Sequence, residues 1–335
     1  MDRRTLLLGG LAALGAGALS GCSREGSAAT GARHILRLAL NQTETHPSYI
    51  ALDAFSKSLF EATGGEYTID IFPNEVLGAQ QEILNLQRNN IVDLAIISST
   101  QLENINEDFR VFNVPRVFDS VAHQMDVITN PEISGELFGS LEASNNLLVL
   151  GGFTQGERNI YAAKEVATPA DMAGLKVRVQ ESPVMLRMIE AMGGSPTPMA
   201  YGEVYTALQA GVLDGAENND GSYFTQKHYE VAPVFSYTKH LVGFDYMVAS
   251  AKSLHDMGPE MRAIFDEEWS NAMQHFTELW ATSTQEAIDG AKAGGATFAE
   301  IDTAEFDAQL TPLAESLLTS DVQKRIFQQT KEAAA

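Results

Sequence analysis

Hydrophobic and polar positions along the chain fall into alternating strand-like and helix-like rhythms. Ile35–Leu40 (ILRLAL) is the first strand candidate, and Glu66–Phe72, with Tyr67, Ile69 and Ile71 on one face, is the second. Between them His46-Pro47 opens a helix with proline at its first position. Ile50, Ala54, Phe55, Leu59 and Ala62 give that helix one apolar face, and Gly64-Gly65 stops it. Leu77–Arg88 predicts a second helix, with Leu77, Ile83, Leu84 and Leu86 apolar. Asp93–Ser98 (DLAIIS) is a continuous apolar run, as in a buried parallel strand. Strand, helix, strand, helix, strand in this order predicts an α/β fold with crossover connections.

The middle of the chain repeats the device. Leu147–Phe153 (LLVLGGF) reads as another buried strand. Thr168-Pro169-Ala170-Asp171 is a helix opening, and the short helix delivers GLKVRV (Gly174–Val179), a strand with Leu175, Val177 and Val179 on one face and Lys176 and Arg178 on the other. Ser182-Pro183 starts a helix over Val184–Met192, ended by Gly193-Gly194; a further helix spans Gly202–Ala210 and closes at Gly211. Gly211–Asn219 (GVLDGAENN) reads as a turn-rich polar loop, and Asp245–Ser250 as a strand. After Gly258-Pro259, Met261, Ile264, Phe265, Trp269, Ala272, Met273, Phe276, Leu279 and Trp280 recur at helical spacing, a stripe that predicts one long helix packed against the body of the fold.

The first residues follow different rules. A basic start, an apolar run from Leu6 to about Leu19 and the sequence Leu19-Ser20-Gly21-Cys22 predict a signal peptide over residues 1–22. Arg3-Arg4 resembles a twin-arginine signal without its usual phenylalanine, so general secretion also fits. Cys22, the only cysteine, closes a segment that resembles a bacterial lipoprotein box and is the expected lipidation site; residues 23–33 read as a flexible tether. The expected location is periplasmic, anchored to the membrane by lipid alone.

Composition narrows the chemistry. The 335 residues carry a net charge of −22, and no basic run follows the N-terminus, which excludes nucleic acid as a partner. A single cysteine allows no disulfide and no cysteine-based metal cage. The seven histidines are scattered, none in a close ligand pair, so no metal is expected. There is no nucleophile elbow, P-loop or dinucleotide fingerprint in the mature chain, so no catalytic set and no cofactor are expected. What stands out instead is arginine in an acidic protein. Arg158, in Gly156-Glu157-Arg158, and Arg178 both sit at strand-to-loop positions. Ligands of open α/β sheets bind there, and arginine grips a carboxylate bidentately while staying charged. Asn218 and Asn219 add donors. Read alone, these residues describe an exported α/β protein with an anion site.

In combination they resemble the solute-binding subunits of TRAP transporters. The resemblance runs from about Ile35 to beyond Trp280 and rests on ordered pieces: His46-Pro47, Thr63-Gly64-Gly65, Phe72-Pro73-Asn74 with Leu77-Gly78, Pro115 and Phe118, Gly156-x-Arg158, Asp171–Arg178 (DMAGLKVR), Glu203–Gln209 (EVYTALQ) and Gly211–Asn218. It implies two α/β lobes of the periplasmic-binding-protein type, joined by hinge strands and braced by a long helix: 34–155 with 244–283, and 156–243 with 284–335. It implies that Arg178 grips the carboxylate of an organic acid, that Arg158 supports it and that Asn218 contacts the ligand. Asn219, Tyr223 and His46 are candidate readers of ligand hydroxyls. The run from Glu217 to Val231 resembles members that bind hexuronates; C4-dicarboxylates, other hydroxy or keto acids and amino acids stay open as ligands. Two departures, Arg116 in PRVF and the LVGFDYM segment after His240, lie near the expected lobe junction. The implied partners are a small and a large membrane subunit, with the binding protein a monomer. A sensor for a signalling receptor and an exported enzyme on the same scaffold are the alternative readings.

Overall fold

The computed structural model describes residues 31–334; the signal segment, Cys22 and the tether up to residue 30 lie outside them. No helix among the described residues is long and apolar enough to cross a membrane. The strands form one sheet. β1 (His34–Ala39) lies parallel between β2 (Tyr67–Phe72) and β3 (Leu94–Ser98). The other end is β7 (Gly215–Asn218), β5 (Lys176–Val179) and β6 (Ser195–Pro198), also parallel to one another. Two long antiparallel strands, β4 (Leu147–Ala162) and β8 (Val234–Ser250), join the ends in the order β2-β1-β3-β8-β4-β7-β5-β6, and β9 (Thr297–Ala299) pairs with β8. Both β4 and β8 therefore belong to both halves of the molecule.

Those two strands depart most from the expectations. The strand expected over Leu147–Phe153 runs on to Ala162 and carries Arg158 within it. Register shifts between Val149 and Gly152, Thr154 and Gly156, and Arg158 and Ile160 absorb the irregularity as bulges. Glycine is required at two of them. A Cβ on Gly152 would overlap the Asp245 carbonyl oxygen at 1.9 Å, and Gly156 has φ 64° with Trp280 2.9 Å from any added Cβ. Residues 215–218, expected in a loop, form the fully buried strand β7.

Three apolar clusters fill the layers. On one face of β1–β3, helix Pro47–Ala62 packs against the long helix Gly258–Ala293: Phe55 meets Phe265 and Trp269 with ring centroids 5.3 and 5.6 Å apart. Phe153 stacks on Phe276 at 4.2 Å. Ile50, expected on the buried face, is 44% exposed; Ala51, Leu52, Phe55 and Leu59 carry the contact. The second predicted helix begins at Gln80 rather than Leu77, because Gly78 takes φ 121° and Glu82 reaches back to the Ala79 N–H. The far end of the long helix meets the other half, where Gly290 and Gly294 admit the rings of Phe224 and Tyr229. The C-terminal segment divides: Ala304–Leu317 packs on Pro183–Ala191 and β8, whereas Asp321–Ala333 packs on Glu107–Asn113, Val121–Thr129 and Pro131–Gly139 in the first half. An assignment of all residues after 283 to one lobe does not describe that last helix.

Candidate functional site

The two arginines are held in opposite ways. Arg158 on β4 lies beside β7, where Asn159 pairs with Asn218 and Ile160 with Glu217. Its side chain is 1% exposed and internally committed. Nε donates to Glu217 Oε2 at 2.6 Å and Nη2 to Oε1 at 2.7 Å, while Nη1 donates to Asn218 Oδ1 at 3.1 Å and to Gln155 Oε1. Burial alone would raise the Glu217 carboxyl; the Arg158 charge and the hydrogen bonds Arg158 donates hold it at about 2. Burial keeps His240 neutral beside this pair, its Nε2 3.6 Å from Glu217 Oε2 and its Nδ1 2.9 Å from Thr238 Oγ1. The pair is a closed, satisfied unit.

Arg178 is open. It sits on β5 between β7 and β6, opposite Ala216 and Thr197, and is 3% exposed. Nε and Nη2 both donate to the Met199 carbonyl, at 3.0 and 2.8 Å, and the guanidinium lies 5.6 Å from the centre of the Tyr201 ring. It forms no ion pair among the described residues, and Nη1 makes no hydrogen bond to them. Burial lowers its pKa, as expected for a cation out of water without a direct counter-charge. A buried cation in that state costs several kcal/mol, which pairing with a carboxylate would offset.

Both face a cleft of about 420 Å³, part of it open to solvent. Asn41, Gln42, Glu75, Gln80 and Gln101 line it from the first half; Gln155 and Arg158 from β4; Arg178, Gln180, Tyr201 and Asn218 from the second. The amides are mostly fixed. Gln155 donates to Asp245 and accepts from Arg158; Gln180 donates to Ser98 Oγ at 2.7 Å and accepts from Thr100 Oγ1 at 3.1 Å. Asn41 Oδ1 and Gln42 Oε1 are buried acceptors without partners among the described residues. Further contacts tie the halves beside the cleft: Glu103 accepts from Ser182 Oγ and from the Val184 N–H at 3.3 Å, and Asn104 donates to the Glu181 carbonyl at 2.9 Å.

Of the residues named from sequence, Arg178, Arg158 and Asn218 converge here, and Asn219, Tyr223 and His46 do not line the cleft. Asn219 caps helix Asp220–Thr225, its Oδ1 accepting from the Ser222 N–H at 2.8 Å. Tyr223 is fully buried between Tyr161 and Phe235, and its hydroxyl donates to the Ala232 carbonyl at 2.8 Å. His46 caps helix Pro47–Ala62 through Nδ1, and burial lowers its pKa to about 3. Arg116 is not a lining residue either: it pairs with Asp307 at 2.5 Å and reaches the Thr238 carbonyl of β8 at 3.5 Å. Gln180 had a signal in the sequence, since it follows Arg178 by two and shares its face. Glu75 and Gln155 had none, and Glu217 stood out only as the start of the run that resembles hexuronate binders.

Three comparisons place this geometry. Residues 38–321 match the family described as bacterial extracellular solute-binding protein, family 7. A solute-binding protein of Chromohalobacter salexigens is 34% identical over 276 residues, 82% of each chain. A TRAP periplasmic solute-binding protein of Anaerococcus prevotii, solved with bound D-glucuronate, superposes with a TM-score of 0.87 at 31% identity, covering 90% of this chain and 98% of that one. One from Xanthobacter autotrophicus, solved with β-D-galacturonate, gives 0.85 at 29% identity over 90% and 99%. The two-lobed α/β fold, the open arginine in its cleft and these matches agree: the chain belongs to the family-7 extracellular solute-binding proteins and is an extracytoplasmic solute-binding subunit of the TRAP type.

Proposed function

We propose that this protein captures a hexuronate or closely related sugar monoacid and hands it to a membrane permease. The carrying observation is Arg178, a buried guanidinium with no carboxylate partner and an unused Nη1 among the described residues, facing a cleft of amides and acceptors unpartnered there. A carboxylate completes Arg178, and sugar hydroxyls supply donors to Asn41 and Gln42. Arg158, already committed to Glu217, supports Asn218 and Gln155 rather than gripping the ligand. The uronates bound by the similar proteins from Anaerococcus prevotii and Xanthobacter autotrophicus support the same ligand class. A C4-dicarboxylate would need a second free cation, and Arg178 is the sole unpaired one lining the cleft among the described residues.

The lobes of this reading are 34–155 with 244–283, and 156–243 with 284–318; Asp321–Ala333 rejoins the first. Closure bends the bulged strands β4 and β8 and brings Gln180 onto Ser98 and Thr100. Micromolar affinity needs about −8 kcal/mol. One charged bidentate contact supplies about 2–3 kcal/mol, so hydroxyl contacts and loss of water from the cleft supply the remainder. The partners are a small and a large membrane subunit driven by an ion gradient, and Cys22 carries the lipid that holds a monomer at the membrane surface. This account makes the protein a carrier with no catalytic role. The test is thermal shift of refolded, ligand-stripped protein against hexuronates, aldonates, C4-dicarboxylates, 2-keto acids and amino acids. Stabilisation by hexuronates is expected, because ligand held only by the folded state raises its stability. Stabilisation by C4-dicarboxylates alone would overturn the assignment.

A further inference from the structure

We infer that Glu75 sets the charge selectivity of this cleft, admitting acids that end in hydroxyl groups and turning away those with a second carboxylate. The inference rests on the sugar-monoacid reading above and adds the residue that enforces it.

Glu75 is fixed on both sides. It follows Asn74 in a turn where both residues adopt left-handed backbone, φ 57° and 53°. The Asn74 N–H donates to the Gln42 carbonyl at 3.0 Å and the Glu75 N–H to that of Leu40 at 3.2 Å, so the turn is tied to the segment carrying Asn41 and Gln42. Across the cleft, Glu75 Oε2 accepts from the Gly202 N–H at 2.9 Å. A Cβ at residue 202 would itself lie 2.9 Å from that oxygen, so glycine lets the backbone meet the carboxylate. Gly202 adjoins Tyr201, whose ring faces Arg178, and lies three residues after Met199, whose carbonyl takes two Arg178 donors. One short segment thus holds the cation that takes the ligand carboxylate and the anchor of the facing anion.

The charge inventory then decides. Among the lining residues Arg158 is neutralised by Glu217, leaving Arg178 as the cation and Glu75 and Glu181 as anions. Once a ligand carboxylate pairs with Arg178, no cation remains for a second one. The remaining wall offers Asn41 Oδ1 and Gln42 Oε1, acceptors that seek donors. A hydroxyl fits this wall. A carboxylate about 8 Å or less from Glu75, at an effective dielectric constant near 20, is disfavoured about thirtyfold.

The experiment is calorimetric titration of the refolded, ligand-stripped protein and its Glu75→Gln variant with D-glucuronate and with D-glucarate, in which a second carboxylate replaces the aldehyde carbon. Gln keeps an oxygen for Gly202, removes the charge and replaces the other oxygen with an amide NH2. The difference between a sugar ring and an open chain enters both proteins alike and cancels in the comparison. The preference of the wild type for glucuronate should fall at least tenfold in E75Q. An unchanged preference, with glucuronate still bound, overturns the inference. Glu75→Ala is the second variant: it gives up the Gly202 contact, so it should weaken both acids yet shift the preference the same way. Equal weakening of both by E75A would mark a closure contact alone and also overturn the inference. A wild type that binds neither acid overturns the hexuronate reading itself and this inference with it.

Discussion

Arg178→Met removes the open guanidinium while keeping most of the side-chain volume. Four interactions go: two hydrogen bonds to the Met199 carbonyl, the cation–π contact with Tyr201 and, with ligand present, the pair with its carboxylate. Deleting one partner of a buried, hydrogen-bonded charge pair costs about 2–5 kcal/mol, so the Kd for hexuronate should rise about 30- to 4,000-fold. Stability of the empty protein should move the other way or not at all, because the variant no longer buries a cation that lacks a counter-ion. Arg158→Met is the control. It leaves Glu217 fully buried without its bidentate partner and should destabilise the fold by about 3–5 kcal/mol. Urea unfolding of both variants without ligand, and calorimetric titration of Arg178→Met, read the contrast. Equal stability losses in the two variants, or hexuronate affinity in Arg178→Met within about threefold of wild type, would refute the division into a closed and an open arginine.

Two further predictions test neighbouring side chains. Burial raises the Asp245 carboxyl to about 6, although Gln155 donates to it and Arg158 lies near. The folded protein therefore holds this proton more tightly than the unfolded chain, and stability is lost as pH rises from about 4 to about 6. Asp245→Asn should be more stable than wild type by about 1–3 kcal/mol at pH 7.5, with the advantage gone at pH 4; urea unfolding at the two pH values checks it, and a loss at pH 7.5 would contradict it. Tyr223→Phe should lower stability by about 1–3 kcal/mol through the orphaned Ala232 carbonyl and leave hexuronate affinity within about twofold; a tenfold loss of affinity would return Tyr223 to the ligand.

Much of the fold was legible because its signals are local. Pro47, Pro169 and Pro183 each stand at a helix start, and DLAIIS became the fully buried β3. Where glycine carries the geometry, local rules misled. Gly156-Glu157-Arg158 reads as a loop after the strand, yet pairing with β8 continues through the bulges. GAEN reads as a turn and is a strand because β4 and β5 flank it. The site divides along the same line. An arginine inside an apolar strand of an acidic chain drew attention to Arg178. That Arg158 is already paired depends on β4 lying beside β7, a contact between residues 59 apart in the chain. Glu75 reaches the cleft through a left-handed turn of two non-glycine residues, which no periodicity announces. Tyr223 and His46 went astray for the opposite reason: polar tips with local duties, a carbonyl partner and a helix cap, resemble ligand contacts in sequence.

The central claim is that the ligand's carboxylate completes Arg178. Titrating the wild-type protein with D-glucuronate and with D-glucuronamide, its uncharged amide, tests it most directly. Binding of the amide weaker by about 100-fold or more is the predicted result, with the difference lost in Arg178→Met. Equal binding of acid and amide by the wild type would contradict the account.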